Sequence, residues 1–240
     1  MDQIDSIEDL KTSLSEADRF RARHGRPFVT VSYAQSVDGS IAMGNRLPIQ
    51  LSGQKAAVLT HQIRAASDAI LIGIGTLLAD DPQLTVRLSQ GSNPRPIILD
   101  THLRTPLNAK LVEHSDLSPW IINAEDTHSR RFEALSAAGA TPLPCTMDGD
   151  GKINLNALMV MLADMQVNSI MVEGGARVIT SFLNSQLIDQ FIITVSPKFV
   201  GGLSVIDPNG LNFNKNLKLG HVSYQRLGND LIIWSCPDWE

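Results

Sequence analysis

The chain has 240 residues, 43% of them hydrophobic and 19% charged, with a formal net charge of −5. This is the composition of an ordinary globular protein able to bury a sizeable core, and its acidic balance excludes a general nucleic-acid binder, which carries a basic face. No apolar run nears the roughly 20 residues of a membrane span, the first 20 residues lack the basic start and apolar stretch of a secretory signal, and Cys145 and Cys236 form no redox or zinc motif.

In chain order, Ile4, Ile7, Leu10, Leu14, Ala17 and Phe20 recur at spacings of three and four. They predict one amphipathic helix over residues 4–23, ended by Gly25 and Pro27. Residues 1–25 are read as a helical extension ahead of one domain, 26–240. Phe28–Tyr33 reads as a strand, followed by an Asp38-Gly39 turn and a short strand around Ile41. Ser52 is placed to cap a helix running to about Ala66. Strands are expected over Ala69–Ile74, Pro96–Leu99 and Trp120–Ile122. Residues 127–138 look helical, stopped by Gly139, and Leu155–Met165 is a second helical stretch. A strand over Ser169–Val172 runs into Gly174-Gly175, which opens a helix through Leu183. Gln190–Val195 is a further strand, and Val222–Trp234 reads as a hairpin turning at Gly228-Asn229. The alternation implies an α/β fold: a mostly parallel central sheet flanked by helices, with a C-terminal antiparallel hairpin at one edge.

Two places carry chemistry. The segment Ser67–Arg87 runs from an apolar strand into a Gly-x-Gly-Thr turn (Gly73, Gly75, Thr76), then into Asp80-Asp81-Pro82, and ends at Arg87. Paired carboxylates suit acid/base work, although Asp-Asp-Pro also opens ordinary loops. The second place is Glu173-Gly174-Gly175-Ala176. Glycine lets the backbone approach a ligand, and the helix behind it aims N–H groups and its positive end at an anion. A plain strand-to-helix turn has the same pattern. Glu173, at the end of an apolar strand, would be costly to bury alone and calls for a polar ligand or a cation. Arg64 and Arg87 suit charge-assisted binding of a phosphate. Asp100-Thr101-His102-Leu103-Arg104 ends another strand with groups fit for a ribose and a phosphate. The histidines and cysteines show no metal-ligand spacing, so no metal is expected. Places for phosphates without a nucleophile system fit a reductase whose cofactor brings the hydride.

Four segments, RPFVTVSYAQSVDGSIA, SDAILIGIGTLLADDPQLTVR, NPRPIILDTHLR and IMVEGGARVITSFLNSQLIDQFIITVSPKFVGG, resemble the reductase domain of bifunctional bacterial riboflavin biosynthesis proteins. They resemble equally the stand-alone pyrimidine reductases of that pathway. The likeness runs from about Arg26 to the C-terminus. It implies a dihydrofolate-reductase-like fold, NADPH as cofactor, and reduction of a ribosylaminopyrimidine 5′-phosphate to its ribitylamino product. By matched position, Thr76 and Asp80 would touch NADPH. The helix start from Gly174, Gly175 and Ala176 through Arg177, Val178 and Ile179 would hold its pyrophosphate. Thr101 and Arg104 would sit near its adenosine ribose or 2′-phosphate. Arg64, Leu84, Arg87 and Glu173 would line the substrate side, the two arginines gripping the 5′-phosphate, and Asp80 or Glu173 would assist proton transfer. The chain departs from the bifunctional proteins at Ser32, where they often carry lysine, and at Pro48-Ile49-Gln50, where they carry Ser-x-Trp; both point to the stand-alone subgroup. A cytoplasmic homodimer is implied, and the apolar strand Phe191–Val195 is compatible with it. Two alternatives stay open: a reductase of this fold acting on a pterin or folate, and an NADPH-binding module without turnover.

Overall fold

The computed structural model describes residues 3–44, 49–113, 116–207, 210–211 and 218–239; Pro48 lies outside them. Strands β1 (Phe28–Ser36), β3 (Ala69–Gly73), β4 (Arg95–Leu99), β5 (Trp120–Asn123), β6 (Thr141–Pro144), β7 (Ser169–Val172), β8 (Gln190–Ser196), β10 (Lys218–Leu227) and β11 (Asp230–Asp238) form one sheet. Its order is β10-β11-β8-β1-β7-β3-β4-β5-β6. The strands from β8 to β6 run parallel, and β11 and β10 join antiparallel at one edge. A small second sheet pairs β2 (Ser40–Ala42) with β9 (Leu203–Ser204).

The central strands read as continuous apolar runs because both faces are covered. Ile70, Ile72, Ile98 and Met171 point into one core, with Leu59 and Ile63 of α3 (Gln54–Ala66) and Leu10 of α1 (Ile7–Ser15). Ala69, Leu71, Ile97 and Val172 point into the other, with helices α7 (Leu155–Asp164) and α8 (Ala176–Asn184). Successive residues alternate faces, as strand geometry requires. The expected N-terminal helix is two, α1 and α2 (Ala17–His24), broken at Glu16. Leu10 of α1 and Ala17 of α2 are both buried, and Arg21 hydrogen-bonds Asn168, Gln166 and the Ala163 carbonyl. The extension thus packs as part of the domain's core.

Three further expectations are corrected. The N-cap of α3 is Gly53, not Ser52; no side chain caps it, and its N–H donates to Asp230 Oδ2 at 2.7 Å. The Gly-x-Gly-Thr turn is already helical, because α4 (Ile74–Asp80) starts directly after β3. The strand Phe191–Val195 is paired on both sides, by β1 and β11, and all of it but the half-buried Val195 is buried, so it is an interior strand rather than a free subunit surface. β5 is followed by α6 (Arg130–Ala137), capped by Ser129, and β4 by the short α5 (Lys110–Glu113). Among the described residues no helix is long and apolar enough to cross a membrane.

Candidate active site

The parallel strands bring their carboxyl ends to one edge of the sheet. The chain moves outward from β3 through β4 and β5 to β6, then returns to insert β7 between β3 and β1. Such a reversal leaves a crevice beyond the strand ends, the usual ligand position in an open α/β sheet. The crevice is bounded by Gly73–Thr76 after β3, Glu173–Ala176 after β7 and Asp100–Arg104 after β4.

The turns after β3 and β7 lie against each other. A Cβ on Gly73 would stand 2.7 Å from Val178 Cγ2, and one on Gly174 2.5 Å from Val178 Cβ, so both positions need glycine for close approach. A Cβ on Gly175 would stand 3.2 Å from Thr76 Oγ1. Gly175 is the N-cap of α8 with extended backbone and no side-chain cap. The amides of Ala176 and Arg177 are therefore left without an intrahelical or side-chain capping partner, while Val178 N–H already donates to the Gly175 carbonyl at 3.0 Å. Thr76, Gly174, Gly175, Ala176 and Val178 are thus brought together around one uncapped helix end. Arg177 is exposed on it, and Ile179 is buried behind it.

Beside this cradle Glu173 holds Arg64 of α3 in a two-pronged ion pair, Nε to Oε1 at 2.6 Å and Nη2 to Oε2 at 2.7 Å. The side chains are 12% and 16% exposed. Burial alone would lower the Arg64 pKa; Glu173's charge and hydrogen bonds outweigh it, and the net shift is upward. Arg64 Nη1 also donates to the Thr85 carbonyl at 3.1 Å. Glu173 thus has the cation that its position demanded. Arg64, expected to be a free phosphate clamp, is instead largely committed within the protein. Arg87 is the exposed cation of this side, its guanidinium donating to Gln83.

Leu84 is buried with φ of +53°, a left-handed conformation rare for a branched side chain. It turns the loop so that Val86 N–H reaches Asn93 Oδ1 (2.7 Å) and Arg87 N–H reaches His61 Nδ1 (3.0 Å). His61 was not singled out from the sequence, although its place three residues before Arg64 puts both on one face of α3.

The two neighbouring aspartates separate. Asp81, left-handed at the end of α4, accepts from the Lys110 amide at 2.9 Å and lies 3.5 Å from Lys110 Nζ, a loop-holding role. Asp80 is exposed, with a pKa raised by desolvation. No paired-carboxylate centre forms. Beyond β4, Asp100 is fully buried, accepting at Oδ2 from the Thr105 amide and hydroxyl. Its Oδ1 has no hydrogen-bond partner and lies 3.8 Å from Nε of the exposed Arg104. Arg131 fixes the same loop by donating to the Leu103 and Thr105 carbonyls. Thr101 is half-buried at the strand end. No group of three or more His, Cys, Asp or Glu able to hold a metal occurs among the described residues.

A family model described as the RibD C-terminal domain matches residues 27–233. The chain belongs to that family. A riboflavin biosynthesis protein RibD of Aquifex aeolicus is 31% identical over 87% of this chain and 57% of its own length. A 2,5-diamino-6-ribosylamino-4(3H)-pyrimidinone 5′-phosphate reductase of Debaryomyces hansenii is 37% identical over 77% of this chain and 81% of its own. Among solved structures, RibD of Acinetobacter baumannii aligns over 96% of this chain and 63% of its own, at TM-score 0.81 and 26% identity. The chain thus spans little more than half of the RibD proteins and most of the shorter reductase. In RibD-family terms, α1 and α2 precede the matched region and everything lining the crevice lies within it.

Proposed function

We propose that this chain is an NADPH-dependent reductase acting on a ribosylaminopyrimidine 5′-phosphate and yielding the ribitylamino product of riboflavin biosynthesis. One observation carries the reading: the uncapped start of α8 and the largely buried Arg64–Glu173 pair, which ties α3 and the Thr85 segment to the end of β7, stand at the same strand end, so an anion cradle and a fixed polar wall share one crevice. Gly73 and Gly174 let both turns close onto Val178, and Gly175 leaves the helix end without a side chain beside Thr76, an arrangement that suits a pyrophosphate bound by backbone amides. The names of the shorter relatives support the substrate class.

In this reading Gly174, Gly175 and the first amides of α8, with Thr76, hold the pyrophosphate of NADPH. Thr101 and Arg104 lie toward its adenosine end, and Arg104, with one face open to solvent, is suited to a 2′-phosphate. When bound, NADPH supplies a hydride for C1′ of the ring-opened ribosylimine, whose nitrogen takes a proton. Arg87 holds the 5′-phosphate, and Leu84 shapes the loop that presents it. Glu173, with both oxygens accepting from Arg64, serves as an acceptor for substrate hydroxyl or amino groups. Asp80, exposed at the end of α4 and not tied into an ion pair among the described residues, is the carboxylate placed to assist proton transfer. The protein works in the cytoplasm as a homodimer, with no nucleic-acid or membrane partner. The exposed edge strand β10, bearing Leu219, Val222 and Tyr224, supports an intersubunit contact there.

The test is NADPH oxidation, followed by its near-ultraviolet absorbance, with the aminouracil ribosylamino phosphate and with its 2-amino precursor. Oxidation with one of them, reduced in Arg87→Ala, is expected. NADPH binding without oxidation of either would reject the reading in favour of another substrate or a binding module.

A further inference from the structure

We propose that His61 is a positioning residue for the phosphate-binding segment: it holds the backbone of Arg87 in place, and protonating it releases that backbone. His61 is buried in α3, and its Nδ1 accepts the Arg87 N–H at 3.0 Å. An accepting Nδ1 carries no proton, so the ring is in its neutral Nε2–H form. Arg64, one turn on, donates to the Thr85 carbonyl. Two side chains from one face of α3 thus pin the segment from Thr85 to Arg87, whose entry is set by the left-handed Leu84.

The segment has no regular secondary structure of its own. Besides these contacts it is held by Asn93, which accepts from Val86 N–H. Arg87's guanidinium is exposed, so where it points depends on how its backbone is fixed. The charged groups facing His61 are Arg64 on its own helix, Arg87 on the segment and Glu173 at the end of β7. Burial lowers its pKa most, followed by Arg64 and Arg87, while Glu173 acts the other way. At neutral pH the clamp is therefore closed. Acidification puts a proton on Nδ1, sets two donors against each other, and adds a third positive charge beside two arginines. Segment and phosphate grip loosen together.

The proposal rests on the reductase reading for the identity of the ligand, so two readouts are needed. The first needs no turnover: amide hydrogen exchange at Arg87 in the ligand-free protein. His61→Leu should speed it, and His61→Asn, whose carbonyl can accept at the Nδ1 position, should keep it slow. In the unaltered protein protection should survive through the ordinary histidine range and fade only at lower pH, because the folded His61 pKa is depressed, and in His61→Asn it should not fade. The second is steady-state kinetics. His61→Leu should raise KM for the phosphorylated substrate about tenfold, the loss of one buried hydrogen bond, while KM for NADPH moves less than about twofold. His61→Asn should recover most of that loss. It should also leave only the acid limb that the substrate phosphate itself produces near pH 6. Unchanged Arg87 exchange in His61→Leu overturns the proposal. So do equal rises in both KM values, or failure of His61→Asn to rescue. An unaltered enzyme that turns over neither substrate overturns the reductase reading instead, and the exchange data still decide the clamp.

Discussion

Replacing Glu173 by glutamine separates a built site from a surface ion pair. The substitution keeps the shape and one accepting oxygen but leaves Arg64, 12% exposed, without its counter-charge. Two unit charges about 4 Å apart at an effective dielectric near 20 attract by about 4 kcal/mol. Breaking a fully buried pair typically costs about 3–5 kcal/mol, and a surface pair returns at most about 1. With slight solvent access and one hydrogen bond retained, Glu173→Gln should cost about 2–3 kcal/mol, or about 5–10 °C in Tm for a chain of this size. Urea unfolding should show a lower midpoint at unchanged slope. Glu8→Gln, which breaks the exposed Lys11–Glu8 pair, should lie within about 0.5 kcal/mol of the parent. Adding Arg64→Met to Glu173→Gln should recover part of the loss, because no buried charge is then left alone. If Glu173→Gln costs no more than Glu8→Gln, the pair is not the anchor of the crevice and the argument fails.

Arg87→Ala should leave urea stability within about 0.5 kcal/mol, as an exposed side chain, while raising KM for the phosphorylated substrate at least about tenfold in the oxidation assay. Gly73→Ala and Gly174→Ala should each destabilise by about 1–3 kcal/mol through overpacking. Adding Val178→Ala should relieve Gly73→Ala, whose obstacle is Val178 Cγ2, but not Gly174→Ala, whose obstacle is Val178 Cβ; calorimetry on the double variants checks this. Because the His61 pKa is lowered in the folded state, the unfolded chain binds that proton first as pH falls. His61's contribution is therefore complete above about pH 6.5 and is lost on acidification through the folded pKa; a denaturation series from pH 8 to 5 should be flatter in His61→Asn. Burial pushes the Tyr33 hydroxyl up to about 12, so in a Tyr224→Phe background tyrosinate absorbance should stay absent until the solution is strongly alkaline.

The strands of the sheet were legible because their apolar runs are continuous and end in polar turns. Ala69–Gly73 and Ser169–Val172 are buried on both faces, and nothing in their composition competes with that reading. The errors fall where a local rule met a tertiary one. Two prolines hid β6, Thr141–Pro144, yet it pairs only with β5 at the sheet's edge, where proline is tolerated. Gly73 and Gly75 suggested a turn. Gly73 is there because Val178 of another helix leaves no room for a Cβ, and Gly75 sits inside the first turn of α4 with open space around it. Ser52 looked like a cap, but the buried Asp230 carboxylate, 177 residues on, takes the amide of Gly53 instead. No pattern confined to one window of sequence carries such information.

The site divides along the same line. Glu173 was legible as a charge needing a partner, since a carboxylate at the end of an apolar strand cannot be left alone. That the partner is Arg64 depends on α3 packing over β7, 109 residues away in sequence. This pairing reassigns the two arginines. Arg64, neutralised by Glu173 and holding Thr85, shapes the crevice; Arg87, exposed at the end of the segment that Arg64 and His61 pin, is free to meet a dianion. A phosphate needs a cation that is both available and fixed, and one long side chain on a loop is available only at the expense of order. On the proposed reading the two requirements are divided: α3 supplies the order through the buried His61 and the largely buried Arg64, and the loop supplies the exposed charge. On this argument, substitutions at His61 or Arg64 should act on substrate affinity through the loop's conformation. Substitution of Arg87 should act through charge, so raised ionic strength should weaken substrate binding in the parent and much less in Arg87→Ala.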